Sequence, residues 1–399
     1  MKKYLWIGVS TNEEIRKELL DCGTRIMSGA VSEENLIAGV DTLLNREMDT
    51  INSYQYPTFP KGPMRVKRRE WKRTDKSKDV SVEYLNVKYL NHVSRKRALK
   101  KEARKWAKGL STEDEAIVFV YSMHSPFLAA AKQIKKCHRN TTVSMLVLDL
   151  PQFMDMNMST LKRILKQIDW RSLQKHMKQV DKYILYSRHM AEFLKLEDGV
   201  WTVMEGSYDP SLLVENENKA DDGKISVMYS GVLDLRYGIK ELLDSMDMLD
   251  SNYELWLTGN GNAVPLIEER AKADERIKYF GYFPSRLDLL KKQREATMLI
   301  STRDPSEPAS KYCFPSKIFE YMVSGNPVLS TVIDGIPEEY FNYIIPLESI
   351  SPEMLSEKIK GVASMDKKDR DEFGEKAKRF VLENKSNVAQ MKKVLEFIG

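Results

Sequence analysis

Short apolar runs alternate along this chain with longer segments whose apolar side chains recur every three or four positions. In the first half, the runs Tyr4 to Val9, Ile117 to Tyr121, Thr142 to Asp149, Lys182 to Tyr186 and Trp201 to Met204 predict strands. A small-residue segment from Phe127 to Lys136 predicts a helix. The second half alternates more cleanly. Strands are expected at Ile225 to Tyr229, Tyr253 to Thr258, Ile277 to Phe280, Met298 to Ser301, Pro327 to Thr331 and Tyr343 to Ile345. Helices fall between them at Ile239 to Leu249, Ala263 to Lys272, Ser285 to Glu295, Ser316 to Val323 and Pro352 to Lys360. Such alternation predicts parallel strands with right-handed crossovers, and runs apolar on both faces predict sheets covered on both sides.

Two such sheets predict two domains across a cleft, with a linker near the polar stretch Asn216 to Gly223. The segment Asn52 to Arg73, with Pro57, Pro60, Gly62 and Pro63, reads as a long loop, and Val82 to Lys108 as a basic helix. Lys376 to Ile398 is a long helical pattern broken near Asn384 to Ser386, free to pack on the first domain.

Composition narrows the class. No apolar run is long enough to span a membrane, and the start Met1 to Ser10 reads as a first buried strand rather than a signal peptide. Cys22, Cys137 and Cys313 are scattered and odd in number, which argues for a reducing, cytoplasmic setting; no metal-ligand spacing is visible. Net charge is only +5, yet Lys61 to Lys108 holds eighteen Lys or Arg against five Asp or Glu. That favours a phosphate-bearing or anionic membrane surface, with a solvated helical face as the alternative. Nucleic acid is not expected, because the stretch has few interleaved aromatics.

The stretch Tyr312 to Leu329 carries the sharpest signal. Ile318, Phe319 and Met322 form an apolar stripe, whereas Lys317, Glu320, Tyr321 and Ser324 fall on another face. Pro315 suits the helix start and Gly325 its end. A cation and a carboxylate at the start of a helix suit a nucleotide, the cation for phosphate and the carboxylate for ribose hydroxyls. A plain surface pair is the alternative. Other loops after predicted strands carry Ser230-Gly231, Asp234 to Lys240 with Arg236, Gly259-Asn260-Gly261, Gly281-Tyr282 and Arg303. No GxxxxGK[ST] loop, early GxGxxG or GxSxG elbow is present, which argues against a P-loop ATPase, a dinucleotide oxidoreductase and an α/β-hydrolase.

The run Phe314 to Met322 with Gly325, Pro327 and Val328 resembles the donor-site signature of retaining glycosyltransferases of family four, the group one glycosyl transferases. Ser230 to Gly238, Thr258 to Gly261, Gly281-Tyr282 and Glu205-Gly206 match that family in order. The resemblance covers most of the second half; in the first half it rests on His124 and Asp149-Leu150-Pro151. It implies an α/β chain of GT-B fold: two Rossmann-like doubly wound domains facing across a cleft, with a C-terminal helix crossing back to the first domain. The expected division is an acceptor-binding domain over 1–205, a nucleotide-sugar domain over 206–380 and a returning helix over 381–399. The implied activity is transfer of a sugar from a nucleotide-diphosphate sugar to a saccharide or lipid-linked acceptor, with retention and without a metal or other cofactor.

The resemblance gives Glu320 the ribose hydroxyls and Arg236 the diphosphate, with help from Lys317. The loops at Gly231, Gly259, Tyr282, Arg303 and Ser316 complete the donor site. His124 would touch the donor sugar, or is a plain loop residue. Asp149 would orient the acceptor, or caps its turn. Tyr312 stands where the family often has a second glutamate, and Tyr237 where it often has a lysine. A non-catalytic nucleotide-sugar-binding protein of the same fold is therefore the alternative. Tyr54, Tyr56 and Phe59 could stack on a sugar, with core packing the other use.

Overall fold

The computed structural model describes residues 1–23, 28–153, 160–214 and 223–399. It divides into two compact units, Met1–Met204 with Asn387–Gly399, and Glu205–Ser386. The first holds an eight-stranded sheet and a separate two-stranded one, and the second a six-stranded sheet. The expected linker falls largely on residues outside the described ones. The returning segment begins at Asn387 rather than at 381, because Phe380 and Val381 are buried in the second unit's core.

The first unit's sheet has eight strands. Their order is Trp201–Val203, Lys182–Leu185, Thr141–Val147, Glu115–Tyr121, Lys2–Gly8, Met48–Asn52, Asp79–Ser81 and Arg69–Trp71. All neighbours run parallel except the last pair. Sequence order reverses between Lys2–Gly8 and Glu115–Tyr121, the place where an open parallel sheet opens a crevice beyond its carboxyl ends. Glu33, on the Ser28–Leu43 helix, is fully buried beside it and accepts hydrogen bonds from Trp6 Nε1 at 2.7 Å and Val9 N at 2.9 Å. Burial pushes its carboxyl up to about 8. The final helix, Asn387–Ile398, packs on the same Ser28–Leu43 helix, and Asn387 Nδ2 donates to Asn35 O at 3.2 Å.

Two expectations for this unit are corrected. The segment 52–73 is not all loop, because Arg65–Val66 pairs with Tyr84–Leu85 and Arg69–Trp71 joins the main sheet. The helix expected from Val82 starts only at Asn91, after a strand at Tyr84–Leu85 and a left-handed Tyr89.

The second unit's sheet is wholly parallel. Its order is Ile277–Tyr279, Tyr253–Asn260, Ile225–Val232, Met298–Ser301, Val328–Thr331 and Ile345–Leu347. Counted along the chain this is the order 3-2-1-4-5-6 of a doubly wound nucleotide-binding sheet. The last strand starts later than expected because Glu338–Asn342 forms a 3-10 turn before it. Apolar side chains from both faces, Val227, Tyr229 and Leu255 among them on one and Met228, Leu299 and Phe319 on the other, form two cores that sandwich the sheet.

Gly259 fixes the geometry at the carboxyl edge. Its φ is +133°, and a Cβ there would lie 1.7 Å from the Gly231 carbonyl oxygen. Alanine at this position must push two strands apart. Gly259→Ala is expected to lower stability by more than about 1 kcal/mol, seen as a lower thermal unfolding midpoint, and an unchanged midpoint would refute this.

Candidate donor site at the carboxyl edge of the second sheet

In the second unit the chain order reverses between Ile225–Val232 and Met298–Ser301, so the loops after these strands frame a ligand crevice. The carboxyl end of the Ile225–Val232 strand is braced by Tyr321. Its hydroxyl accepts from Ser230 N at 2.8 Å and donates to Ser230 O at 3.0 Å. Gln293 Nε2 donates to Ser230 Oγ at 2.9 Å. The sequence grouped Tyr321 with the polar face of its helix; it is fully buried, and its hydroxyl alone is polar.

Lys317 opens the Lys317–Val323 helix, which ends at a left-handed Gly325 as expected. Its Nζ lies 3.6 Å from the centre of the Tyr229 ring and 3.8 Å from where a Gly231 Cβ would stand. A cation over a ring face gains roughly 2 kcal/mol when desolvated. Among the described residues its ammonium makes no hydrogen bond or ion pair. Desolvation, with the neighbouring positive Arg303, pushes it down to about 7, while Glu320 acts in the opposite sense. Ser316, just before it, is exposed.

Arg303 follows the Met298–Ser301 strand. It donates Nε to Ser310 Oγ at 3.0 Å and lies 5.2 Å from the Tyr237 ring centre. Arg236 sits in the loop after the first strand and forms a two-pronged pair with Asp234, at 3.0 Å and 2.9 Å. The side chain is 56% exposed, so this surface pair contributes little to folding and leaves the guanidinium reachable. The Asp234 carboxylate holds the Arg236 pKa up, and Arg236 holds that of Asp234 down.

Glu320 does not pair with Lys317. It accepts from Arg286 Nη2 at 2.8 Å, a residue that begins a different helix, Arg286–Glu295. Gly259 and Gly281 approach each other, with Gly259 N donating to Gly281 O at 2.8 Å, and Tyr279 donates its hydroxyl to Gly259 O at 2.9 Å. Tyr282 beyond them is 66% exposed and free to stack on a planar group. The structure thus brings Gly231, Gly259, Arg303, Lys317 and Glu320 to one sheet edge, with Arg236 and Tyr282 on its loops. Tyr229, Arg286, Gln293 and Tyr321 were missed as site residues.

His124 and Asp149 belong to the first unit. His124 follows the Glu115–Tyr121 strand, at the chain reversal of that sheet, and precedes the Ser125–Cys137 helix. Its ring meets Phe127 edge-on at 5.4 Å. Desolvation and the positive Arg95 lower its pKa, so the ring is a neutral hydrogen-bonding group. Asp149 is exposed after Thr141–Val147, and its charge raises the pKa of buried Tyr186. Tyr54 and Tyr56 are buried, so their ring faces are packed in the core, whereas Phe59 is 48% exposed. Among the described residues, no group of three or more His, Cys, Asp or Glu side chains is gathered to hold a metal ion.

Known proteins give the same picture. No curated protein matches the chain by sequence. A sucrose-phosphate synthase from Thermosynechococcus elongatus superposes with a TM-score of 0.65 at 12% identity, over 98% of each chain. The Anabaena Alr3699/HepE protein, solved in complex with UDP, gives 0.65 at 12% identity, over 99% of this chain and 98% of that one. The lipopolysaccharide outer core galactosyltransferase WaaB gives 0.63 at 13% identity, over 100% and 99%. Identities this low establish the GT-B fold alone. The family model described as "Glycosyl transferases group 1" matches residues 213–380, the segment that carries the crevice. Residues 213–380 are therefore a group 1 glycosyl transferase domain, in a chain of GT-B fold.

Proposed function

We propose that this chain is a retaining glycosyltransferase that moves a sugar from a nucleotide-diphosphate sugar to a saccharide or lipid-linked acceptor. Its setting is bacterial surface polysaccharide or glycoconjugate synthesis in the cytoplasm. One observation carries the reading: Lys317, an ammonium without a carboxylate partner among the described residues, lies beside Gly231 at the reversal of a 3-2-1-4-5-6 sheet. The UDP complex of the Anabaena neighbour and the galactosyltransferase activity named for WaaB support it.

In this reading Lys317, Arg236 and Arg303 face the diphosphate and stabilise the charge that develops as the sugar leaves. Glu320, held by Arg286, accepts the ribose hydroxyls. The base lies against Gly259 and Tyr282. Neutral His124 contacts the donor sugar and Asp149 stands on the acceptor side. Charge compensation comes from side chains, and no metal or other cofactor is assigned. Tyr312 in place of a second glutamate favours the other reading, a non-catalytic nucleotide-sugar-binding protein. Release of nucleoside diphosphate from any of a panel of nucleotide sugars separates the two.

The basic region Lys61 to Lys108 is proposed to rest on an anionic membrane surface. Among the described residues no helix is long and apolar enough to cross a membrane. The region does expose Met64, Tyr89, Leu90 and Val93 next to its lysines and arginines, a pairing suited to an interface. The protein should co-sediment with vesicles containing anionic lipid and be released by salt; absence of binding at low salt would end this part.

Two outcomes test the donor site. Glu320→Ala is expected to weaken nucleotide-diphosphate binding by about 1–3 kcal/mol in calorimetry, and wild-type affinity would reject the assignment. Lys317 titrates near 7, so its charged fraction falls as pH rises through that value. Affinity for the nucleoside diphosphate should therefore fall from about pH 6 to pH 8, and Lys317→Met should be weaker and lack this component. The same slope in the variant would remove Lys317 from the site.

A further inference from the structure

A cavity of about 460 Å³ opens in the first unit, lined by none of the residues placed at the donor site. The Glu13–Asp21 helix, which follows strand Lys2–Gly8, supplies Glu18 and Asp21. The segment after strand Met48–Asn52 supplies Tyr54, Tyr56 and the loop from Pro60 to Arg69. The cavity therefore lies beyond the carboxyl ends of two neighbouring parallel strands, where open sheets take ligands.

Its loop wall is built into the fold. Asn86, fully buried, donates Nδ2 to Pro57 O at 2.7 Å and Pro63 O at 3.1 Å. Its backbone accepts from Phe59 N at 3.0 Å and donates to Met64 O at 2.8 Å. Gly62 closes the loop on itself, because a Cβ there would stand 2.2 Å from Pro57 O. A buried asparagine thus fastens the loop on both sides of Lys61 and Gly62.

The charges divide into committed and uncommitted groups. Glu18 accepts from the Tyr56 hydroxyl at 2.9 Å and pairs with Arg69, and Arg65 pairs with Glu83. The side chains of Lys61, Lys67 and Asp21 form no hydrogen bond or ion pair among the described residues, and both lysines are exposed at the rim. Two free ammoniums match the near-double negative charge of a phosphate ester at neutral pH. A free carboxylate suits sugar hydroxyls, and the exposed Pro60 ring suits the apolar face of a sugar. The volume falls in the range of small-molecule sites.

We propose that this cavity binds a phosphate-bearing saccharide, with Lys61 and Lys67 on the phosphate and Asp21 on the sugar hydroxyls. That the occupant is the acceptor rests on the transferase reading above; the site itself does not. Phosphate on a soluble sugar and the diphosphate of a lipid-linked sugar share this chemistry.

Calorimetry on the full chain separates them. The probes are a hexose phosphate, the plain hexose, inorganic phosphate and a sugar on a short polyprenyl diphosphate, with UDP in a parallel arm. The hexose phosphate or the lipid-linked sugar is expected to bind more tightly than phosphate or hexose alone, and the one that binds identifies the source. Lys61→Ala with Lys67→Ala should weaken it by about tenfold or more and leave UDP binding unchanged. Asp21→Asn should weaken the saccharide ligand and not inorganic phosphate. No saturable binding of either saccharide, equal binding of phosphate alone, or an unaffected double variant would overturn the proposal. Loss of UDP binding alone would instead overturn the donor reading and leave this site standing.

Discussion

The crevice proposed to hold the donor depends on one buried phenol. Tyr321 spends its hydroxyl on both the amide and the carbonyl of Ser230, and so fixes the carboxyl end of the Ile225–Val232 strand. Because Tyr321 and Lys317 share a helix, the same anchor sets where the ammonium stands relative to Gly231. A buried hydroxyl left without partners costs about 1–3 kcal/mol, so the strand end and the helix are held in register by the penalty of separating them.

The crevice is positively biased yet not neutralised from within. Arg236 has Asp234 and Glu320 has Arg286, but among the described residues Lys317 has only aromatic faces. A ring face stabilises a cation without supplying a counter-charge. That leaves the ammonium destabilised in the empty protein, as its pKa near 7 reflects, and able to gain when an anion arrives.

Much of this was legible in the sequence, unevenly so. Strands buried on both faces, such as Val227 to Tyr229 and Leu299 to Ser301, read as apolar runs, and the parallel-sheet expectation built on them holds, as does the GT-B fold that the family resemblance implied. The first unit was harder, because its strand Met48–Asn52 is half polar and its helices Glu13–Asp21 and Ser28–Leu43 carry mixed patterns. The motif located Lys317 and Glu320 but not their partners. Arg286 comes from a helix thirty-four residues earlier, and local spacing cannot show a contact between separate helices. Tyr321 was misplaced because helical spacing assigns a whole side chain to one face, whereas a tyrosine can bury its ring and keep a working hydroxyl. Glu33 left no signal at all; a lone glutamate in a helix looks like surface until the fold closes over it.

The pair between Arg286 and Glu320 bears on discrimination among ligands. With Oε1 already engaged, the carboxylate is held in one orientation before anything binds. The rotamer freedom of that glutamate is lost when the chain folds, not when a nucleotide docks, so its hydrogen bonds reach an arriving diol with less entropic penalty. Under the proposed assignment of Glu320, a ligand lacking one hydroxyl would leave the oriented oxygen desolvated and unmatched, and the edge would favour ribose over its deoxy counterpart.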